Sequence, residues 1–353
     1  MPSLQDTAYP RLKHNVTDKE LATIYTPTLE ELNLAAQTTK GSSAKLGFLV
    51  LLKTFQRLGY SVPLASVPAT ITRHIAASAQ VAAASTDLAG YDRSGSRIRH
   101  LAVIRDYLQL QPFSDRAQQV TVAAMETAAM TKHDLVDLIN IALEVLVQQR
   151  FELSAFSRLL RLAHKARNAI TTQCHQTLTQ SLSDTERRQI DSLFQAEAET
   201  GTTPWHEIKR DPGKPTITHL KKLVERLRWL ATLQLGTTAL KQLPEVKRKH
   251  FAAEAKTLDA PYMKQMSALK RYTLAVALLA AQYAQTLDDL ADMFIRQMQQ
   301  MHSRGKQALA ALRQNTQART DELIATLRAV VVAFQSDGEI AQRFAAIETV
   351  LGT

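Results

Sequence analysis

The chain is 353 residues long, with 43 Lys and Arg against 33 Asp and Glu and a formal net charge of +10. Hydrophobic residues reach 45% and Gly and Pro only 11 each, which excludes a disordered or collagen-like chain and implies long elements in an all-α fold. The single cysteine, Cys174, excludes an intrachain disulfide and a cysteine-based zinc finger.

Thr17 with Glu20, and Thr28 with Glu31, read as capping boxes that start the first helices. Ser42 or Ser43 caps a helix expected to run to about Leu58, where Gly59 stops it. Pro68 suits the first turn of the next helix, which carries Ile71 and Ile75 on one face. Gly90–Ser96 is a turn-rich break, and Ser96 opens a helix with Ile98, Leu101, Ile104 and Leu108 at helical spacing. Ser114 caps another helix, and Thr131 is expected to open the one after it. A long helix follows over about Ser154–Leu182, then a capping box at Ser183 and Glu186. Glu199–Pro215 holds two Gly and three Pro and reads as an exposed connector, sensitive to proteases. Thr216 begins a basic amphipathic helix to about Leu235, and Pro244 and Pro261 start two more. The stretch 261–333 reads as long helices with coiled-coil character, broken near Ser303–Gly305.

The N-terminus carries no apolar signal-peptide core. The most apolar stretch, Tyr272–Ala284, is shorter than the ~20 residues a membrane span needs. The expectation is a soluble, reduced, cytoplasmic protein with no membrane partner. Positive charge gathers in two zones, about 40–105 and 209–271, and points to an anionic partner, nucleic acid rather than a membrane surface. The candidate DNA-binding residues of the first zone are Lys40, Lys45, Lys53, Arg57, Arg73, Arg93, Arg97, Arg99 and His100. Those of the second are Lys209, Arg210, Lys214, Lys221, Lys222, Lys247, Arg248, Lys249, Lys270 and Arg271. Short helices with cations at their starts suit helix-turn-helix readers, in which a helix start meets base edges and its neighbours hold phosphates. Arg93, Arg97, Arg99 and His100, where a turn meets a helix, are expected to read bases, and the consecutive Lys247, Arg248 and Lys249 to hold phosphates.

No phosphate-binding glycine loop, zinc-protease or hydrolase motif is present. Cys174 and His175 are neighbours on a helix and point about 100° apart, so they do not make a metal site by themselves. Asp288, Asp289 and Asp292 cluster on a helix, where a solvated face is the plainer reading than a divalent-ion site. No catalytic or metal residue is assigned.

The run from Asp18 to Tyr60 is similar to the opening domain of the Tn-three family of replicative transposases. Leu29, Leu32, Lys40, Leu46-Gly47-Phe48 and Gly59 carry the likeness, followed by Tyr91, Arg93, His100, Ile104 and Phe113. Leu110 stands where that pattern has Gly. Later segments, among them LSDTERRQIDSLF, LPEVKRKHFAAEA and TLDDLADMFIRQMQQMHSRGKQAL, resemble the same family. The resemblance implies an α-helical array that recognises the terminal inverted repeats of a transposon. It implies that the RNase-H-like catalytic domain, with its metal-binding carboxylates, lies in a C-terminal half beyond this sequence. Magnesium is expected only there, and no cofactor in this chain.

The expected architecture is a multi-domain array of short helix-turn-helix-like units followed by longer helices. It divides into 1–66, 67–198, 199–275 and a dimerisation-like 276–353. The expected function is sequence-specific binding of transposon ends as the recognition part of a transposase. Two alternatives stand beside it: a helical scaffold or interaction protein, and one half of a split transposase that acts only with its catalytic half. The chain itself or a catalytic transposase chain is the further partner expected.

Overall fold

Leu46–Phe55 are buried without interruption, so the helix that carries them needs neighbours on every side. The structure is a computed structural model that describes residues 3–81, 88–196, 201–210, 216–233 and 235–352. Among these residues there is no sheet; one bridge pairs Gln111 with Phe151, and the fold is all-α.

The chain divides into two compact units, Met1–Glu207 with Leu235–Leu279, and Ile208–Gln234 with Ala280–Thr353. The first unit opens with α1 (Asp18–Glu20), which widens into a turn over Leu21–Tyr25, then α2 (Leu29–Thr38) and α3 (Ser42–Leu58). Next come α4 (Ala69–Ser78), α5 (Ala89–Asp92) and α6 (Gly95–Tyr107). Tyr25, Ala35, Ile71, Ile75, Tyr91, Leu101 and Ile104 join α3 in one core. That core runs straight through the boundary expected at 66. Both early capping boxes form, with Thr17 and Thr28 accepting from the amides of Glu20 and Glu31.

Glu31 does more than cap. Its carboxylate is buried, accepts from the Thr28 amide at 2.7 Å and from Gln56 at 2.6 Å, and pairs with Lys53 at 3.2 Å. Lys53 is itself buried, so it is not a DNA contact: an amine taken out of water needs a carboxylate, and Glu31 supplies it. Gly59, at φ +74°, stops α3 in the left-handed conformation the sequence suggested. Gly41, at φ +92°, precedes the helix, and neither Ser42 nor Ser43 caps it.

α7 (Asp115–Thr131), α8 (Leu135–Gln148) and α9 (Phe156–Gln180) form the next core. α7 presents small or slender side chains, Ala117, Thr121, Ala128 and Ala129, to the Leu- and Ile-rich faces of its neighbours. Thr131 ends α7 rather than opening α8; Asp134 caps α8 by accepting from the Val136 amide at 3.0 Å. The two cores are tied together. The Leu153 amide donates to the Gly59 carbonyl at 2.8 Å. Glu152 takes Arg105 of α6 at 2.9 and 3.2 Å.

α10 (Asp184–Ser192) begins at the expected capping box. The expected connector is only partly described, with 199–200 and 211–215 outside the described residues. Its middle is no loose linker. It forms α11 (Pro204–Ile208), and Trp205 is fully buried, 5.1 Å from the Phe194 ring, with its indole N–H donating to the Leu258 carbonyl at 2.8 Å. A large aromatic with a partner for its polar handle holds a segment that the Gly and Pro count suggested was free.

α12 (Ile217–Thr232) lies in the second unit. α13 (Thr237–Gln242), α14 (Glu245–Thr257) and α15 (Ala260–Gln265) return to the first. α16 then runs without interruption over Ala268–Gln335, 68 residues and about 100 Å at ~1.5 Å per residue. Its first turns, Tyr272–Leu279, are buried in the first unit, so the boundary expected at 275 falls inside a buried helix. The break expected at Ser303–Gly305 is absent. One Gly costs ~1 kcal/mol in a helix, too little to end one flanked by Gln, Met, Lys and Ala. α17 (Ile340–Leu351) closes the chain.

α14 is fixed by an unusual group of bases. The ring of His133, between α7 and α8, stacks on His250 of α14 with centroids 3.5 Å apart. Lys247 has no solvent exposure, and its Nζ lies 3.3 Å from His133 Nδ1. Burial, then the charges of His250, Lys247 and Arg167, push His133 down to about 4, with Glu254 opposing. Burial and then Lys270 push His175 down to about 4. Unfolded histidines titrate near ~6.5. The unfolded chain therefore binds more protons between that value and about 4, and stability falls as pH falls through that window. Thermal melts from pH 7 to 4 should show this decline, and His133→Asn with His175→Asn should flatten it. A second measurement concerns the buried ion pair: Lys53→Met strands the Glu31 carboxylate and should cost ~3 kcal/mol in urea unfolding.

Candidate nucleic-acid interface

α3 and α6 both start without a side-chain cap. Their first amides are therefore free of the usual partner and carry the positive end of the helix dipole. Both starts line one open cleft of about 490 Å³, with Lys40, Gly41, Ser42 and Ser43 on one side and Gly90, Tyr91, Ser94 and Ser96 on the other. Lys40, Ser42 and Ser43 are exposed. Arg93 and Arg99, also exposed, flank the start of α6, and Arg99 donates to Ser96 Oγ at 3.1 Å. The geometry is that of an anion seat, with backbone N–H donors, hydroxyls and cations on a rigid base.

The base is rigid because α3 and α5 touch at Gly47. A Cβ there would stand 2.9 Å from the Tyr91 ring. The Tyr91 hydroxyl shares a 2.7 Å hydrogen bond with His100 Nδ1, and the His100 ring meets Phe48 edge-on. Burial raises the Tyr91 pKa, and burial followed by Arg99 lowers that of His100, so both are neutral at pH 7. His100 is thus a buried support of the cleft and not a base reader. Arg97 is turned inward as well: it pairs with Asp92 at 3.2 Å and donates to the Val62 carbonyl at 3.1 Å. Of the three arginines expected to read bases, Arg93 and Arg99 are exposed and Arg97 is not.

Arg57 and Arg73 are exposed and Lys45 is half-buried. In the second zone, Lys221 and Lys222 are exposed on α12 of the second unit, where Arg210 is exposed and Lys209 half-buried. Lys214 lies outside the described residues. The run Lys247, Arg248 and Lys249 belongs to the first unit and is divided by its helix: Lys247 is fully buried, Arg248 half-buried and Lys249 exposed beside Glu245 at 2.6 Å. Lys247 is therefore not a phosphate ligand. Lys270 pairs with Glu254 at 2.6 Å and Arg271 with Asp191 at 3.1 Å. Sequence reasoning passed over the serines and free amides of the cleft; the uncapped Gly41-Ser42-Ser43 start was the available signal.

An all-helical protein with two uncapped helix starts on one open cleft is the class this arrangement defines. Comparison with known proteins narrows it. Residues 1–166 match a family model described as a domain of unknown function, DUF4158. The chain is 28% identical over 297 residues to the transposase for transposon Tn501 of Pseudomonas aeruginosa, covering 81% of this chain and 29% of that protein. It is 20% identical over 308 residues to the transposase for transposon Tn1546 of Enterococcus faecium, covering 86% and 31%. For the transposase for transposon Tn21 of Escherichia coli the identity is 24%, covering 77% and 27%. The chain is similar to these transposases along about 80% of its length, and it spans about 30% of theirs.

The inward arginine and its outward neighbour should separate in a stability assay. Arg97→Ala leaves Asp92 half-buried without its cation and should lower the midpoint of unfolding, whereas Arg99→Ala should leave it within about 0.5 kcal/mol of the parent.

Proposed function

We propose that this chain binds double-stranded DNA at the terminal inverted repeats of a transposon, as the end-recognition part of a transposase. The observation that supports the reading is the convergence of two uncapped helix starts and Lys40 on one cleft, with the exposed Arg93 and Arg99 near the start of α6 in sequence. Such an arrangement suits a backbone phosphate, and it would hold the first turn of α6 against the adjoining groove. The transposases to which the chain is similar supply the DNA: a transposase acts at the ends of its element. The exposed cations of α12, in the second unit, suit backbone phosphates in their own right. Strand cleavage and joining, which need carboxylates converging on two ions, form no part of the proposal for this chain.

Fluorescence anisotropy on terminal-repeat and scrambled duplexes tests the reading. Arg99→Ala should cost ~1–3 kcal/mol on the repeat and much less on the scrambled duplex. Lys221→Ala with Lys222→Ala should weaken both alike and flatten the log–log salt dependence by roughly 0.9 per lysine. Equal affinity of the parent protein for the two duplexes would overturn end recognition.

A further inference from the structure

Across its 25 residues α9 holds no Asp or Glu. It holds Arg158, Arg161, Lys165 and Arg167, all in its first half, and it lies outside both basic zones of the sequence. Its start has no side-chain cap and no acid in the first turn. Cations near the positive end of a helix dipole are unfavourable, and so are like charges one turn apart, as Arg161 and Lys165 are. A helix that needed only to be solvated would gain from acids at these places.

The fold employs two of the four cations. Arg158 donates to Gln118 at 2.7 Å and stands over the Phe113 ring, 4.6 Å from its centroid. Arg167 lies 3.4 Å from His164 Nδ1. Arg161 and Lys165 are exposed, and among the described residues their side chains make neither a hydrogen bond nor an ion pair. Further along the same face stand Asn168 and Thr172, also exposed and without side-chain partners among the described residues. At ~100° per residue the four fall within an arc of about 60°, opposite the face on which Leu159, Ala163, Ala166, Ile170 and Cys174 are buried. The stripe is about 17 Å long at ~1.5 Å per residue, a length that a straight helix can lay against one stretch of a major groove.

We propose that this face of α9 is a specificity-determining DNA contact separate from the cleft, in which Arg161 and Lys165 hold backbone phosphates and Asn168 and Thr172 reach base edges. The inference rests on the reading of the chain as an end-binding protein. Uncompensated cations on an acid-free face complement phosphates and release their counterions. The Asn168 amide can bond an adenine edge at two points, and the Thr172 hydroxyl and methyl suit a base edge and a thymine methyl. An acidic protein segment would use the cations and leave the neutral half of the stripe idle. The cleft lies at the start of α3, whereas the far end of α3 meets the approach to α9, where the Leu153 amide donates to the Gly59 carbonyl. The length of α3, about 24 Å at ~1.5 Å per residue, separates them.

Anisotropy of the full chain on terminal-repeat and scrambled duplexes separates the two roles. Arg161→Ala with Lys165→Ala should weaken both duplexes alike and flatten the log–log salt dependence by roughly 0.9 per residue. Asn168→Ala with Thr172→Ala should weaken binding of the repeat about tenfold and leave the scrambled duplex unchanged. All four side chains are exposed, so both variants should keep the circular dichroism and melting midpoint of the parent. Combined with Arg99→Ala, each loss should multiply, as it does for independent contacts. A parent that prefers the repeat, with an Asn168→Ala/Thr172→Ala variant that prefers it equally, would overturn α9 as a base reader and leave end recognition standing. Equal affinity of the parent for the two duplexes would overturn both. Unchanged DNA affinity in the Arg161→Ala/Lys165→Ala variant would assign the face to an acidic protein segment and overturn the proposal.

Discussion

A helix buried on all sides has no amphipathic face to orient it, so its position is set wholly by what surrounds it. α3 is such a helix over Leu46–Phe55, and the first unit is organised by the demand. α2, α4, α5 and α6 each give one apolar face to it, and Lys53, the one charged group carried into that interior, takes its counter-charge from Glu31 of α2. The cleft inherits this rigidity. Its floor is the exposed start of α3, four residues from the first buried leucine at Leu46, and its wall is Tyr91, pressed on Gly47. The site and the core are two ends of one element.

Much of this was legible in the residues. The all-helical class followed from scarce Gly and Pro, and three capping boxes, at Thr17, Thr28 and Ser183, fell where their spacing put them because each is closed by side chains three residues apart. Gly59 stopped α3 for an equally local reason. The failures have a common cause in distance along the chain. Nothing near Lys53 announces Glu31, twenty-two residues earlier; nothing near Lys247 announces His133, and nothing near Trp205 announces Leu258. Charge density located the basic zones, but the fold decided which cations remain outside. It withdrew Lys53, Arg97, His100 and Lys247 into structural work, kept Lys40 at the cleft and left Arg93 and Arg99 exposed.

Gly305 and the segment around Trp205 show composition misleading in the same way. Gly and Pro signal where a chain is free to turn, and tertiary burial or flanking propensity removes the freedom. At Trp205 the indole is worth more buried than the backbone is worth loose. At Gly305 the helix on either side simply continues.

The path of α9 bears on where the protein is divisible. The stretch shared with the matched family ends at residue 166, whereas α9 runs on to Gln180 without a cap or kink. Below that point the same helix face still supplies Ile170, Cys174 and Leu178 to the interior, and His175 lies against Phe251 of α14. The stretch that the family model matches and the packed helical unit therefore have different edges. A piece trimmed to the former would expose a sheared hydrophobic surface where the latter is closed by a helix from much later in the chain.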